Sequence, residues 1–136
     1  MSVDPDLSGI LQQWIEKAEN DLRNATHTLT LKEDCPFDTV CFHAQQCAEK
    51  YLKALLLSAG LDPPRTHDLR ALLELLPDKS APGIELWRVL PLNRYAVEAR
   101  YPGEWDPITR AEAEEAVVIA QEVREAVCRY LPLQAL

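Results

Sequence analysis

The sequence lacks the features that mark a membrane or secreted protein. It contains no apolar run approaching the ~20 residues that a membrane-spanning helix requires. Its first residues, MSVDPDLSGILQQW, carry acids ahead of the first apolar cluster and have no basic lead, unlike a secretory signal peptide. We therefore expect a cytoplasmic protein that does not contact a membrane.

Signatures of metal binding and of disulfide bonding are also missing. The chain has four cysteines and three histidines, and no two cysteines form a C-x-x-C pair. Cys41, Cys47 and Cys128 fall at apolar positions of helical patterns, which favours small buried side chains. A metal site at Cys41, His43 and Cys47 is disfavoured, because a helix turns by about 100° per residue and Cys41 points away from the other two. We expect no disulfide, no metal and no cofactor.

There is no excess of basic charge either. The net charge of −8 argues against tight, nonspecific binding of nucleic acid by the whole surface. The acids are concentrated at the two ends, since residues 1–34 and residues 104–136 each carry seven acids and three bases. Residues 35–103 carry eight of each. If the chain has an anion-binding site, we expect it in this balanced middle.

What the sequence does contain is helical periodicity. A length of 136 residues suits one domain, and no repeat, linker or convincing strand pattern interrupts it. Apolar residues at three- and four-residue spacing predict helices over about 7–29 and about 37–59. A short third helix is predicted after Thr66 or Asp68, ending near Leu76.

Prolines and caps delimit the second half of the chain. A fourth helix is predicted to start near Pro82 or Gly83, with a kink or break at Pro91. The last helix is predicted to open at Asp106-Pro107 or, alternatively, at a capping box formed by Thr109 and Glu112. We predict a single all-α domain over residues 1–136, an up-and-down antiparallel bundle of four main helices and one short helix.

A row of polar residues runs along the second predicted helix, within FHAQQCAEKYLKALLLSAG. The row consists of His43, Gln46, Lys50 and Lys53. On a helical wheel these four share an arc of about 80° that flanks the apolar seam containing Val40. Two interpretations stay open: a solvated flank with His43 bonded to a loop carbonyl, or a groove that binds an anion or a second subunit.

Two further segments in the balanced middle carry groups suited to anions. PPRTHDL places Arg65 and His67 on a proline-stiffened loop, and NRYAVEARYPG contributes Tyr95 and Arg100. A guanidinium offers a fork of donors for phosphate or carboxylate, and tyrosine offers an apolar face with a hydroxyl. The alternatives are a helix cap with a solvated Arg65, and a salt bridge from Arg100 to an acid of the last helix.

Four segments span most of the chain, namely WIEKAENDLRNA, FHAQQCAEKYLKALLLSAG, PPRTHDLRALLELL and LNRYAVEARYPG. In these segments the sequence resembles the HEPN family of small helical-bundle domains. The resemblance implies an up-and-down bundle, frequently homodimeric. Many family members are encoded beside a minimal nucleotidyltransferase as a toxin–antitoxin-like pair. Many are metal-independent ribonucleases with an Arg-x(4–6)-His motif, and others are thought to bind nucleotides without cutting RNA.

The ribonuclease motif is absent from this chain. An arginine five to seven residues before His27, His43 or His67 would complete it, and none of those positions is arginine. The nearest approach, Arg23 and His27, lies in the first helix, where the family does not carry the motif. We therefore predict a HEPN protein that binds a nucleotide or another phosphate-bearing ligand. An interaction module for a nucleotidyltransferase and, less favoured, a ribonuclease acting on RNA are the alternatives.

Overall fold

The described part of the chain forms five helices arranged as a bundle. The computed structural model describes residues 5–77, 83–96 and 107–132. The helices are α1 (Pro5–Thr28), α2 (Phe37–Ser58), α3 (Leu69–Leu75), α4 (Leu86–Asn93) and α5 (Arg110–Cys128). No strand occurs in these ranges, which confirms the all-α bundle. The fourth helix is short like the third, because Glu85 keeps an extended backbone and α4 begins only at Leu86.

The central helix of the bundle is α2, which packs along both α1 and α5. It runs antiparallel to α1, since Lys53 lies over the Trp14 ring while His43 contacts Asp21. It is buried over most of its surface, with Val40, Leu52 and Leu56 fully enclosed. Among the described helices, none is long and apolar enough to cross a membrane.

The end of α2 is fixed by a glycine in the left-handed region. Gly60 has a φ of +84°, and its N–H donates to Leu57 O at 3.0 Å. The next N–H, of Leu61, donates to Leu56 O at 2.9 Å, which completes a Schellman motif. Gly60 therefore caps α2 and turns the chain into the loop that carries Arg65 and His67.

Replacing this glycine should destabilise the domain through the backbone alone. A Cβ at Gly60 would meet no atom within 4 Å, so Gly60→Ala is expected to cost about 1 kcal/mol for the left-handed conformation. Gly9, inside α1, is the control, because a Cβ there also meets nothing and alanine favours helix by roughly 0.5–1 kcal/mol. Urea denaturation should shift in opposite directions for the two variants. Equal shifts of the urea midpoint for the two variants would contradict the explanation that the positive φ of Gly60 causes the loss of stability.

Caps and a proline set the remaining boundaries. Thr109 and Glu112 form a reciprocal capping box, so α5 begins after Thr109 and not at the alternative start, Asp106-Pro107. Asp106 itself lies outside the described residues. Asp68 caps α3 by accepting from Arg70 N–H at 3.0 Å and from the Asn93 amide at 2.9 Å. Pro91 removes one backbone donor, yet α4 continues through it and ends two residues later.

Candidate functional site

A buried carboxylate on α2 organises the candidate site. Glu49 is 3% exposed, and its Oε2 accepts from Lys53 Nζ at 3.1 Å. Its Oε1 accepts from His67 Nδ1 at 2.8 Å and from Gln45 Nε2 at 3.3 Å. Removing a carboxylate from water is costly unless charged partners and hydrogen bonds replace the water, and here they do. The network is satisfied internally, so its members hold fixed positions.

His67 is the member of this network that reaches solvent. Its side chain is 67% exposed although Nδ1 is bound to Glu49. Its backbone carbonyl accepts from Gln45 Nε2 at 3.1 Å, so one glutamine and one glutamate hold both ends of the residue. Nε2 is the polar atom that remains for a ligand. Arg65, two residues earlier on the same loop, is exposed.

A second carboxylate, on α1, holds two other candidates. Asp21 is buried, and its Oδ1 lies 2.9 Å from His43 Nδ1. Its Oδ2 accepts from Lys50 Nζ at 2.5 Å. The positive charge of Lys50 is thus already matched by an internal anion, and a ligand phosphate would have to displace Asp21. This pair joins α1 to α2 and does not by itself form an anion site.

The polar row predicted on α2 is therefore divided between two carboxylates. His43 and Lys50 face Asp21, whereas Gln46 and Lys53 belong to the Glu49 network, with Gln46 Nε2 donating to Gln45 Oε1 at 2.7 Å. His43, Gln46 and Lys50 are half-buried, as expected for a flank. The prediction was wrong for Lys53, which is 6% exposed, because its ammonium group lies over the Trp14 ring and pairs with the buried Glu49 carboxylate.

The two remaining candidates are Tyr95 and Arg100, and Tyr95 does not join the network. Tyr95 is buried and hydrogen-bonded to the Cys41 thiol, which points about 160° away from His43 around the α2 axis. Burial is the main cause that raises the pKa of Tyr95 to about 12 and that of Cys41 to about 11. Arg100 lies outside the described residues. The structure thus brings together Gln46, Lys53 and His67, and Arg65 precedes His67 by two residues on the same loop.

Sequence reasoning missed four residues of these networks. They are Trp14, Asp21, Gln45 and Glu49. A signal was present, since Gln45, Glu49 and Lys53 are spaced four residues apart on a helix whose positions next to them are mostly apolar. Polar residues on such a helix must be bonded to one another or to neighbours, and their spacing allows it.

A third polar junction connects α1, α2 and α5. Glu19 accepts hydrogen bonds from the Tyr51 hydroxyl and from Arg124 Nε. Burial alone would raise the pKa of Glu19, but these two hydrogen bonds outweigh it and lower the pKa below its ordinary value of 4.5. Burial and the Glu19 contact raise the pKa of Tyr51. The junction fixes the three helices, and its cation, Arg124, is already paired with Glu19.

Chemically, the arrangement around His67 suits binding of an anion. An imidazole held at Nδ1 by a carboxylate presents Nε2 in a fixed direction, and a neighbouring guanidinium adds donors. In the ranges that the structure describes, no three metal-ligating side chains are grouped for an ion. All four cysteines are unpaired thiols, two of them completely buried in α2.

The fold and site define a small helical-bundle domain in which an internal carboxylate positions an exposed histidine. The HEPN domain family model matches residues 11–131, so the chain belongs to the HEPN family and the resemblance is confirmed.

Two solved structures are similar to it over nearly their whole length. TT1696 from Thermus thermophilus is 32% identical with a TM-score of 0.73, covering 89% of this chain and 98% of that chain. ST0689, an archaeal HEPN homologue, is 27% identical with a TM-score of 0.68, covering 88% and 95%. Comparison with curated proteins gave no match. The likeness therefore establishes the family and its fold.

Proposed function

We propose that this HEPN protein binds a nucleotide or another phosphate-bearing ligand through the loop that follows α2. The observation that carries the proposal is the exposed His67 ring held at Nδ1 by buried Glu49, with Arg65 on the same stiff loop. A fixed imidazole binds a phosphate at a lower entropic cost than a mobile one. Lys50 and Lys53 are assigned supporting roles only, since each is already paired with a carboxylate.

Calorimetry with ATP, GTP and a short RNA tests this site. The double variant Arg65→Ala/His67→Ala should lose at least about tenfold in affinity, because each charge-assisted hydrogen bond contributes about 1.5–3 kcal/mol. The control is Arg23→Ala/His27→Ala, which removes the same two residue types from exposed positions of α1. Absence of binding at millimolar ligand, or equal affinity for the two double variants, would disprove the proposal.

Homodimer formation and pairing with a nucleotidyltransferase in a toxin–antitoxin-like system are further parts of the proposal. They rest on membership in the HEPN family alone. Light scattering of the pure protein and co-purification with the product of a neighbouring gene check them. A strict monomer that retains no partner would contradict both. If a partner co-purifies and no ligand binds, the alternative of a pure interaction module is favoured.

Ribonuclease activity is the remaining alternative, and one geometric feature favours it. A histidine oriented by a carboxylate could take the 2′-hydroxyl proton of RNA, with Arg65 near the phosphate. Against it stands the missing Arg-x(4–6)-His motif. Gel analysis of the RNA recovered from the calorimetry, run with chelator present, distinguishes binding from cleavage. Products that disappear in His67→Ala would replace the binding proposal with catalysis.

A further inference from the structure

A groove lies between the start of α4 and the C-terminal half of α5, away from the His67 loop. Its volume is about 400 Å³. The apolar lining includes Val89, Ile119 and Val123, whose side chains belong to the buried core. Core side chains therefore reach the surface in this groove. No helix in the described part of the chain covers them.

The wall of the groove is formed by an unusually exposed aromatic residue. Trp87 is 69% exposed, whereas Leu86 beside it packs against the core. Single exposed apolar residues are common, but a tryptophan next to an open apolar groove is the composition of a binding hot spot. Next to it, Arg88 binds Glu122 through Nε and Nη2 at 2.8 Å each, so an ion pair joins α4 to α5 beside the groove.

The rim of the groove has more acidic than basic groups. Glu85, Glu122 and Glu125 line it together with Arg88 and Arg129. Arg88 is neutralised by Glu122 and by Glu115. Glu85 and Glu125 are exposed and form no ion pair with the residues that the structure describes. With Arg129 as the remaining cation, the rim keeps a net negative charge, which favours a cationic partner and disfavours nucleic acid, whose phosphates would be repelled.

We propose that this groove binds a basic amphipathic helix of another protein. The apolar face of that helix would pack on Trp87, Ile119 and Val123, and its Lys or Arg side chains would lie opposite Glu85 and Glu125. A groove between two helices accepts a third helix with apolar residues at three- and four-residue spacing. A second copy of this chain fits less well, because a two-fold contact would bring each acidic rim against itself.

The probe is a synthetic amphipathic peptide of about 18 residues, or five helical turns, with Leu on one face of the helix and Lys on the other. Its counterpart with Glu in place of Lys is the charge control. Fluorescence anisotropy of labelled peptide should show binding of the Lys peptide, weakened by added salt, and no binding of the Glu peptide. Trp87→Ser should reduce affinity at least about tenfold, as loss of a hot spot does.

A matched pair of charge variants locates the site. Glu85→Lys/Glu125→Lys should also reduce affinity about tenfold or more, whereas Glu33→Lys/Glu74→Lys, equal in charge but outside the groove, should change it by less than about twofold. Equal effects of the two double variants, or a peptide that fails to bind, would disprove the proposal. So would a dimer that becomes monomeric in Trp87→Ser, since the face would then join two copies. Arg65→Ala/His67→Ala should bind the peptide normally, which separates this groove from the phosphate site.

Discussion

Replacing Glu49 by leucine should destabilise the domain by about 3–5 kcal/mol, because Lys53 would be left as an uncompensated buried charge. The same change removes the acceptor for His67 Nδ1 and for Gln45 Nε2. Domains of this size have total stabilities of about 5–15 kcal/mol, so a large part would be lost. Urea denaturation followed by circular dichroism measures the difference.

Two further variants isolate the charge pair. Lys53→Met alone leaves Glu49 with the polar donors of Gln45 and His67, whereas Glu49→Leu/Lys53→Met removes both charges. The double variant should be clearly more stable than Glu49→Leu, since apolar residues of similar volume replace a buried ion pair at little net cost. Glu16→Leu, an exposed acid of α1, should change stability by less than about 0.5 kcal/mol. A double variant as unstable as Glu49→Leu would contradict this account.

The helices could be predicted from the sequence because their signals are local. The periodicity of α1 and α2 depends on spacing within one segment, and Gly60 specifies its own conformation. The start of α4 was placed too early because Pro82 and Gly83 resemble helix-opening residues. The extended backbone of Glu85 at the start of α4 has no such signature.

The site was predicted only in part because burial depends on tertiary packing. The helical wheel placed one apolar seam on α2, but α3 and the loop before it cover the opposite face as well. Lys53 and Glu49 are buried for this reason. Pairing across helices, such as Asp21 with His43, joins residues 22 positions apart and has no local pattern. The polar row on α2 could be recognised in the sequence, whereas its pairing with Asp21 and Glu49 could not.

The junction at Glu19 gives the second large effect. Glu19→Ala should cost about 1–3 kcal/mol, because the buried Tyr51 hydroxyl loses its strong acceptor. The Cys128 thiol next to that hydroxyl is a weak acceptor and cannot replace a carboxylate. Arg124 contributes little, since its side chain is partly exposed and water can solvate it.

Removing the hydroxyl together with its acceptor should restore part of this loss. Glu19→Ala/Tyr51→Phe is therefore expected to be at least as stable as Glu19→Ala, with Glu114→Ala as an exposed control. Because the folded pKa of Glu19 is lowered, its stabilising contribution is complete above the unfolded value of about 4.5 and is lost as the pH falls through the lowered pKa. Urea midpoints of Glu19→Gln should fall less steeply with acid than those of the wild type. Parallel pH profiles would show that Tyr51 and Arg124 do not hold the carboxylate in its charged form.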